Sequence, residues 1–127
     1  MKKRRIVITG LGIVCPVGNT ITEAWGNILN GKSGISTLEN IITEGQTVTF
    51  GGSVKNFDVS EYLSPKEAKK MDIFIHYGMA AAIQAIEDSG IEVTESNAER
   101  IGVAIGAGIG IGMLAFSAAS ALSLIHI

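Results

Sequence analysis

Ile6-Val7-Ile8-Thr9-Gly10-Leu11-Gly12, near the start of the chain, and Ile101-Gly102-Val103-Ala104-Ile105-Gly106, far downstream, are the two stretches that decide the fold class. Each is a short β-branched run with no polar alternation that breaks into glycine. A strand covered on both faces reads this way, because both sides of its pleat meet apolar neighbours. Residues 6–9 and 101–105 are therefore predicted as buried strands. Between them lie two helical signatures, and strand, helix, helix, strand in this order implies an α/β layered fold with a largely parallel sheet.

The helices announce themselves at their ends. Thr20-x-x-Glu23 is a capping box, in which the two side chains satisfy orphan backbone donors, and Gly31 stands where a left-handed C-cap falls. Ile21, Ala24, Trp25, Ile28 and Leu29 share one face of that helix at i, i+3, i+4, i+7, i+8 spacing. Ser64-Pro65-Lys66-Glu67 repeats the start signal, with Ser64 as cap, Pro65 at the first helical position and Glu67 closing the box. A longer helix is expected over residues 72–89, with Phe74, Tyr77, Ala81, Ala85 and Ile86 on its buried side and Gly90 as its C-cap. Gly78 and the alanines at 80–82 favour close helix packing. Residues 32–62 are mixed in composition, and Val48-Thr49-Phe50 with Gly52-Ser53-Val54 suggests a short hairpin or edge element.

A chain of 127 residues holds one domain or a fragment of one. With 46% hydrophobic and only 17% charged residues it is more apolar than a small soluble domain needs, which implies buried elements without cover or a membrane segment. Ten basic and twelve acidic residues leave a net charge of -2, so nothing overall draws the chain to nucleic acid or anionic lipid. A single cysteine makes no intrachain disulfide, and no Cys/His spacing suits zinc; a reducing, cytoplasmic compartment without a metal is expected. The basic start Met1-Lys2-Lys3-Arg4-Arg5 is followed by an apolar stretch broken at Gly10, Gly12 and Pro16, unlike a signal peptide.

Nucleotide cofactors are not expected. Gly10-x-Gly12 is followed by Cys15 where the third glycine of a dinucleotide fingerprint belongs, and the alternating glycines of 106–112 lack the Gly-Lys-Ser/Thr of a P-loop. Cys15, His76 and His126 supply a thiol and two imidazoles. Yet Cys15 lies between Val14 and Pro16 with no helix N-terminus or cation to activate it, and it reads as a small side chain packed in a turn. The two histidines lack carboxylate partners in sequence and read as structural or solvated. Lys66, Lys69 and Lys70 recur at i, i+3, i+4 and form a compact positive face. Taken alone that face is either ordinary solvation or a docking surface for an acidic partner. Residues 101–127 carry no charge, and ~20 apolar residues span a bilayer. The glycine-dense, β-branched first half reads instead as a strand running into a loop, so a membrane span is not favoured.

Arg5-Ile6-Val7-Ile8-Thr9-Gly10-Leu11-Gly12 with Pro16-Val17-Gly18-Asn19, then Trp25, Gly31-Lys32-Ser33-Gly34-Ile35, Met71-Asp72, Tyr77-Gly78, Asp88-Ser89-Gly90 and 100–110, resemble in order and spacing the start of the bacterial β-ketoacyl-acyl-carrier-protein synthases. That resemblance implies the partial N-terminal half of a thiolase-like layered αβα fold, with an incomplete synthase domain over 1–112 and a non-family tail over 113–127. It further implies a cytoplasmic, homodimeric acyltransferase of fatty-acid elongation that uses no cofactor. In such enzymes an acyl chain passes from acyl carrier protein to a cysteine thiolate, and malonyl-loaded carrier protein is then decarboxylated with histidine assistance. The resulting carbanion attacks the thioester. By the same resemblance Lys66, Lys69 and Lys70 face the acidic carrier protein, and Ile109, flanked by glycines, gates the acyl pocket. The family's cysteine, two histidines and supporting lysine match no position here and are not carried to Cys15, His76 or His126, so the chain alone is expected to be inactive. A carrier-binding module without catalysis, and a membrane-tethered protein using 101–127, are the alternatives. With strands 6–9 and 101–105 short of sheet neighbours, the isolated chain is also expected to aggregate.

Overall fold

The structure, a computed structural model, describes residues 4–39 and 41–106 together with the backbone of 115–117. It divides into two compact units, Met1–Ser89 and Gly90–Ile127. The first holds helix α1 (Ile21–Leu29), strands β1 (Ile35–Thr37) and β2 (Phe50–Gly52), and helices α2 (Pro65–Ala68) and α3 (Ile73–Ser89). The second holds strands β3 (Gly102–Ala104) and β4 (Ala115–Ser117).

Helix α1 starts and stops where its sequence signals stand. Thr20 Oγ1 accepts from the Glu23 amide at 3.2 Å, and Glu23 Oε2 accepts from the Asn19 amide at 2.8 Å, one residue earlier than a reciprocal box requires. At the other end the Gly31 amide donates to the Ile28 carbonyl and the Lys32 amide to the Asn27 carbonyl, the Schellman pairing. Gly31 sits at φ +65°, a conformation that glycine adopts without a Cβ penalty. The apolar face is less covered than its spacing predicts. Ala24 is buried, whereas Trp25, Ile28 and Leu29 are exposed.

The short edge element also differs from expectation. β2 pairs antiparallel with β1, in the register Ile35↔Gly52, Ser36↔Gly51 and Thr37↔Phe50, so 48–50 and 52–54 do not pair with each other. Only Gly51 separates those two runs, and a hairpin connection needs at least two residues. Both sheets are antiparallel two-stranded pairs, the second being Gly102↔Ser117, Val103↔Phe116 and Ala104↔Ala115, rather than parts of a parallel sheet. The downstream strand prediction thus holds at Gly102–Ala104. The upstream one does not: residues 6–9 form no strand, and Ile6 and Ile8 are 90% and 83% exposed. A β-branched run becomes a strand only when a neighbour takes up its backbone N–H and C=O groups, and residues 6–9 have no such neighbour among the described residues.

Helix α3 is the post on which the first unit is built. Ala80 at its middle is fully buried, and Gly90, at φ +63°, ends it as predicted. The chain from Gly10 to Ile13 runs along it in backbone contact. A Cβ on Gly10 would lie 2.6 Å from the Ser89 amide nitrogen, and one on Gly12 would lie 2.9 Å from the Ala85 nitrogen. Ala81, Ala85 and Ser89, spaced four apart, thus offer a face of small side chains to two glycines. Two polar side chains of α3 finish the contact: Asp88 Oδ2 accepts from the Leu11 amide at 2.8 Å and Gln84 Oε1 from the Ile13 amide at 3.2 Å. The glycine pair that fails as a nucleotide fingerprint is therefore a close-packing device.

Candidate functional site

The lysine face is assembled by α2 and the turn behind it. Ser64 Oγ accepts from the Glu67 amide at 3.4 Å, Glu67 Oε2 accepts from the Ser64 amide at 3.2 Å, and Pro65 pre-sets the first helical φ, so the capping box read from sequence is complete. The helix is shorter than the i, i+3, i+4 spacing suggests. It ends at Ala68, Lys69 is its C-cap, and Lys70 lies in the following turn, where its amide donates to the Glu67 carbonyl at 2.9 Å. The turn continues the helical path far enough to keep the three lysines in one short segment. All three are exposed, and none pairs with a carboxylate among the described residues.

Three rings fasten the approach to α2 onto α3. Phe57 stacks on Tyr62 with centroids 6.0 Å apart and meets Tyr77 of α3 edge-on at 5.0 Å. Tyr62 Oη accepts from Gln84 Nε2 at 3.0 Å, and the same amide donates to the Asn19 carbonyl at 2.7 Å. Gln84 thereby joins the Ile13 amide, the Asn19 carbonyl and the Tyr62 hydroxyl through one side chain. Just upstream, Asp58 caps a 3-10 turn, Val59–Glu61, accepting from both the hydroxyl and the amide of Ser60 at 2.6 and 2.8 Å. The Ser60 hydroxyl first, and its amide second, hold the Asp58 carboxyl below the ordinary aspartate range.

Cys15 and His76 are not brought to one site by any contact. Cys15 closes a tight turn with Gly18, their amides and carbonyls exchanging two bonds of 3.0 Å, and its thiol donates to the Gly18 carbonyl at 3.4 Å. His76 Nε2 lies 3.0 Å from the Ala68 carbonyl oxygen. Each engages a backbone carbonyl. A thiol paired with a carbonyl acceptor has no base to take its proton, so this geometry supports no nucleophilic pair. Ile109 and His126 lie outside the described residues, as does most of the uncharged segment 101–127. Among the described residues no helix is long and apolar enough to cross a membrane, and no cluster of His, Cys, Asp or Glu could hold a metal ion. The polar groups of Gln84 and Asp88 were missed from sequence. Their spacing, four apart on the face that carries Ala81 and Ala85, is the signal that marks them.

The helices and small sheets of this chain are a partial α/β fragment of the thiolase-like, ketosynthase class. The chain belongs to the β-ketoacyl synthase family, since residues 3–124 match the family model described as "Beta-ketoacyl synthase, N-terminal domain". Among its relatives, the 3-oxoacyl-[acyl-carrier-protein] synthase 2 of Vibrio harveyi is 54% identical over 110 residues, covering 87% of this chain and 26% of that protein. That of Vibrio cholerae is 56% identical over 110 residues, covering 87% of this chain and 27% of its own length. Among solved structures, the ishigamide ketosynthase/chain length factor superposes with a TM-score of 0.66 at 27% identity, over 71% of this chain and 22% of that one. The chain thus spans about a quarter of the length of the curated relatives it matches.

Proposed function

We propose that the chain supplies the carrier-protein docking portion of a 3-oxoacyl-acyl-carrier-protein synthase, an acyltransferase that elongates fatty acids by decarboxylative condensation with malonyl-loaded carrier protein. The observation that carries this reading is the exposed set Lys66, Lys69 and Lys70, which has no carboxylate partner among the described residues, on a capped helix and its following turn in a chain 54% identical over 110 residues to a protein named for its carrier substrate. Such exposed ammonium groups attract an acidic partner even on a chain of net charge -2, because association follows the local field. The same reading takes Ile109 as the gate of the acyl pocket and the whole enzyme as a cytoplasmic homodimer without a cofactor. Chemistry is assigned to none of Cys15, His76 and His126, so by itself the chain binds and does not condense.

The test is titration of the chain with a fluorescent acyl carrier protein across ionic strength. Triple reversal, Lys66→Glu with Lys69→Glu and Lys70→Glu, is expected to weaken binding by more than about tenfold, since like charges at an interface cost several kcal/mol. Added salt is expected to weaken the unaltered chain toward the variant. Equal affinity of the two would sink the proposal.

A further inference from the structure

We propose that His76 is a positioning residue for the lysine face, its ring N–H holding the Ala68 carbonyl so that the turn bearing Lys69 and Lys70 keeps one shape. The inference rests on the docking reading above and deepens it.

A four-residue helix has little internal hydrogen bonding, and its last carbonyls are orphans that something else must satisfy. The Lys70 amide bonds the Glu67 carbonyl at 2.9 Å, but two other backbone bonds of this turn are long. The Lys69 amide reaches the Pro65 carbonyl at 3.3 Å and the Met71 amide reaches the Ala68 carbonyl at 3.3 Å. The contact from His76 Nε2 to the Ala68 oxygen is shorter, at 3.0 Å, and it comes from the first turn of α3. A carbonyl only accepts, so Nε2 carries the hydrogen. The bond spans the whole connection between the two helices and ties the basic segment to α3, a helix of 17 residues. Three ammonium groups within five residues repel one another, and a loose turn would let them spread. Docking would then pay the entropy of gathering them again, a cost that a pre-shaped turn avoids.

The experiment compares His76→Leu, which keeps bulk and loses the donor, with His76→Gln, which keeps an N–H of similar reach, in the full chain. Two readouts are taken: the rate of limited trypsin cleavage after Lys69 and Lys70, and the dissociation constant for an acidic acyl carrier protein. His76→Leu is expected to raise cleavage and weaken binding about fivefold each, the size of one lost hydrogen bond, and His76→Gln to stay within about twofold. If the leucine variant fails to fold by circular dichroism, His76→Asn, whose shorter amide falls short of the Ala68 oxygen, takes its place with the same expectations. Unchanged cleavage and binding in the donorless variant overturn the proposal. So does a glutamine variant as impaired as the leucine one, or faster cleavage with an unchanged dissociation constant. The triple lysine reversal separates this failure from that of the docking reading: if the reversal leaves binding intact, the docking function falls first and this inference with it.

Discussion

Residues 6–9 and residues 10–13 are consecutive, yet they meet opposite fates. The first segment is β-branched throughout and lies open, with Ile6 90% exposed; the second is half glycine and packs against α3 closely enough that a Cβ on Gly12 would overlap the helix backbone. Apolarity supplies a tendency to be buried but no partner. Glycine supplies the space in which a partner's backbone arrives, and Asp88 and Gln84 then satisfy the amides that the approach would have stranded.

The largest effect is expected from filling the space that Gly12 leaves. Gly12→Val is expected to cost about 3 kcal/mol or more, because the new side chain meets the carbonyl of Ala81 and neither backbone can yield cheaply. Urea denaturation followed by circular dichroism reads the loss, and a small change would mean that the segment does not lie on α3. Next in size is Gln84→Leu, which strands the Ile13 amide, the Asn19 carbonyl and the Tyr62 hydroxyl together and is expected to cost about 2 kcal/mol by the same measurement. Thr20→Ala removes the cap of α1, and about 1 kcal/mol is expected.

On the open segment the expectation reverses. Ile8→Lys should change stability by less than about 0.5 kcal/mol, as surface substitutions do, while lowering self-association seen by light scattering. A cost like that of Gly12→Val would show that residues 6–9 are covered and erase the contrast. The smallest effect is expected at Asp58. Its carboxyl is held below the ordinary aspartate range, so the linked contribution is present above the unfolded pKa and is lost as pH falls through the folded one. Ser60→Ala should move the Asp58 midpoint, followed by NMR, back up toward the ordinary value.

Much of the site's local frame was legible from residue types. The Ser64–Glu67 box, Pro65, the Thr20 cap and the left-handed Gly31 and Gly90 each rest on interactions within one turn of chain, which short motifs encode. The exposure of the three lysines followed for the same reason. The antiparallel partner of β2 was not legible, because β1 lies across an intervening loop whose path no local signal describes. Nor was the fate of residues 6–9, since pairing depends on what stands beside a strand.

Helix ends, the capped basic turn and the family resemblance were determined by the sequence itself, through bonds and steric preferences that span at most a few residues. Only the tertiary structure decided that Gly10 and Gly12 serve helix packing, that Gln84 links three segments and that His76 reaches the Ala68 carbonyl. The hydrogen bonds that fasten this arrangement join residues from 8 to 77 positions apart, and they exist only once the chain has brought α3 alongside.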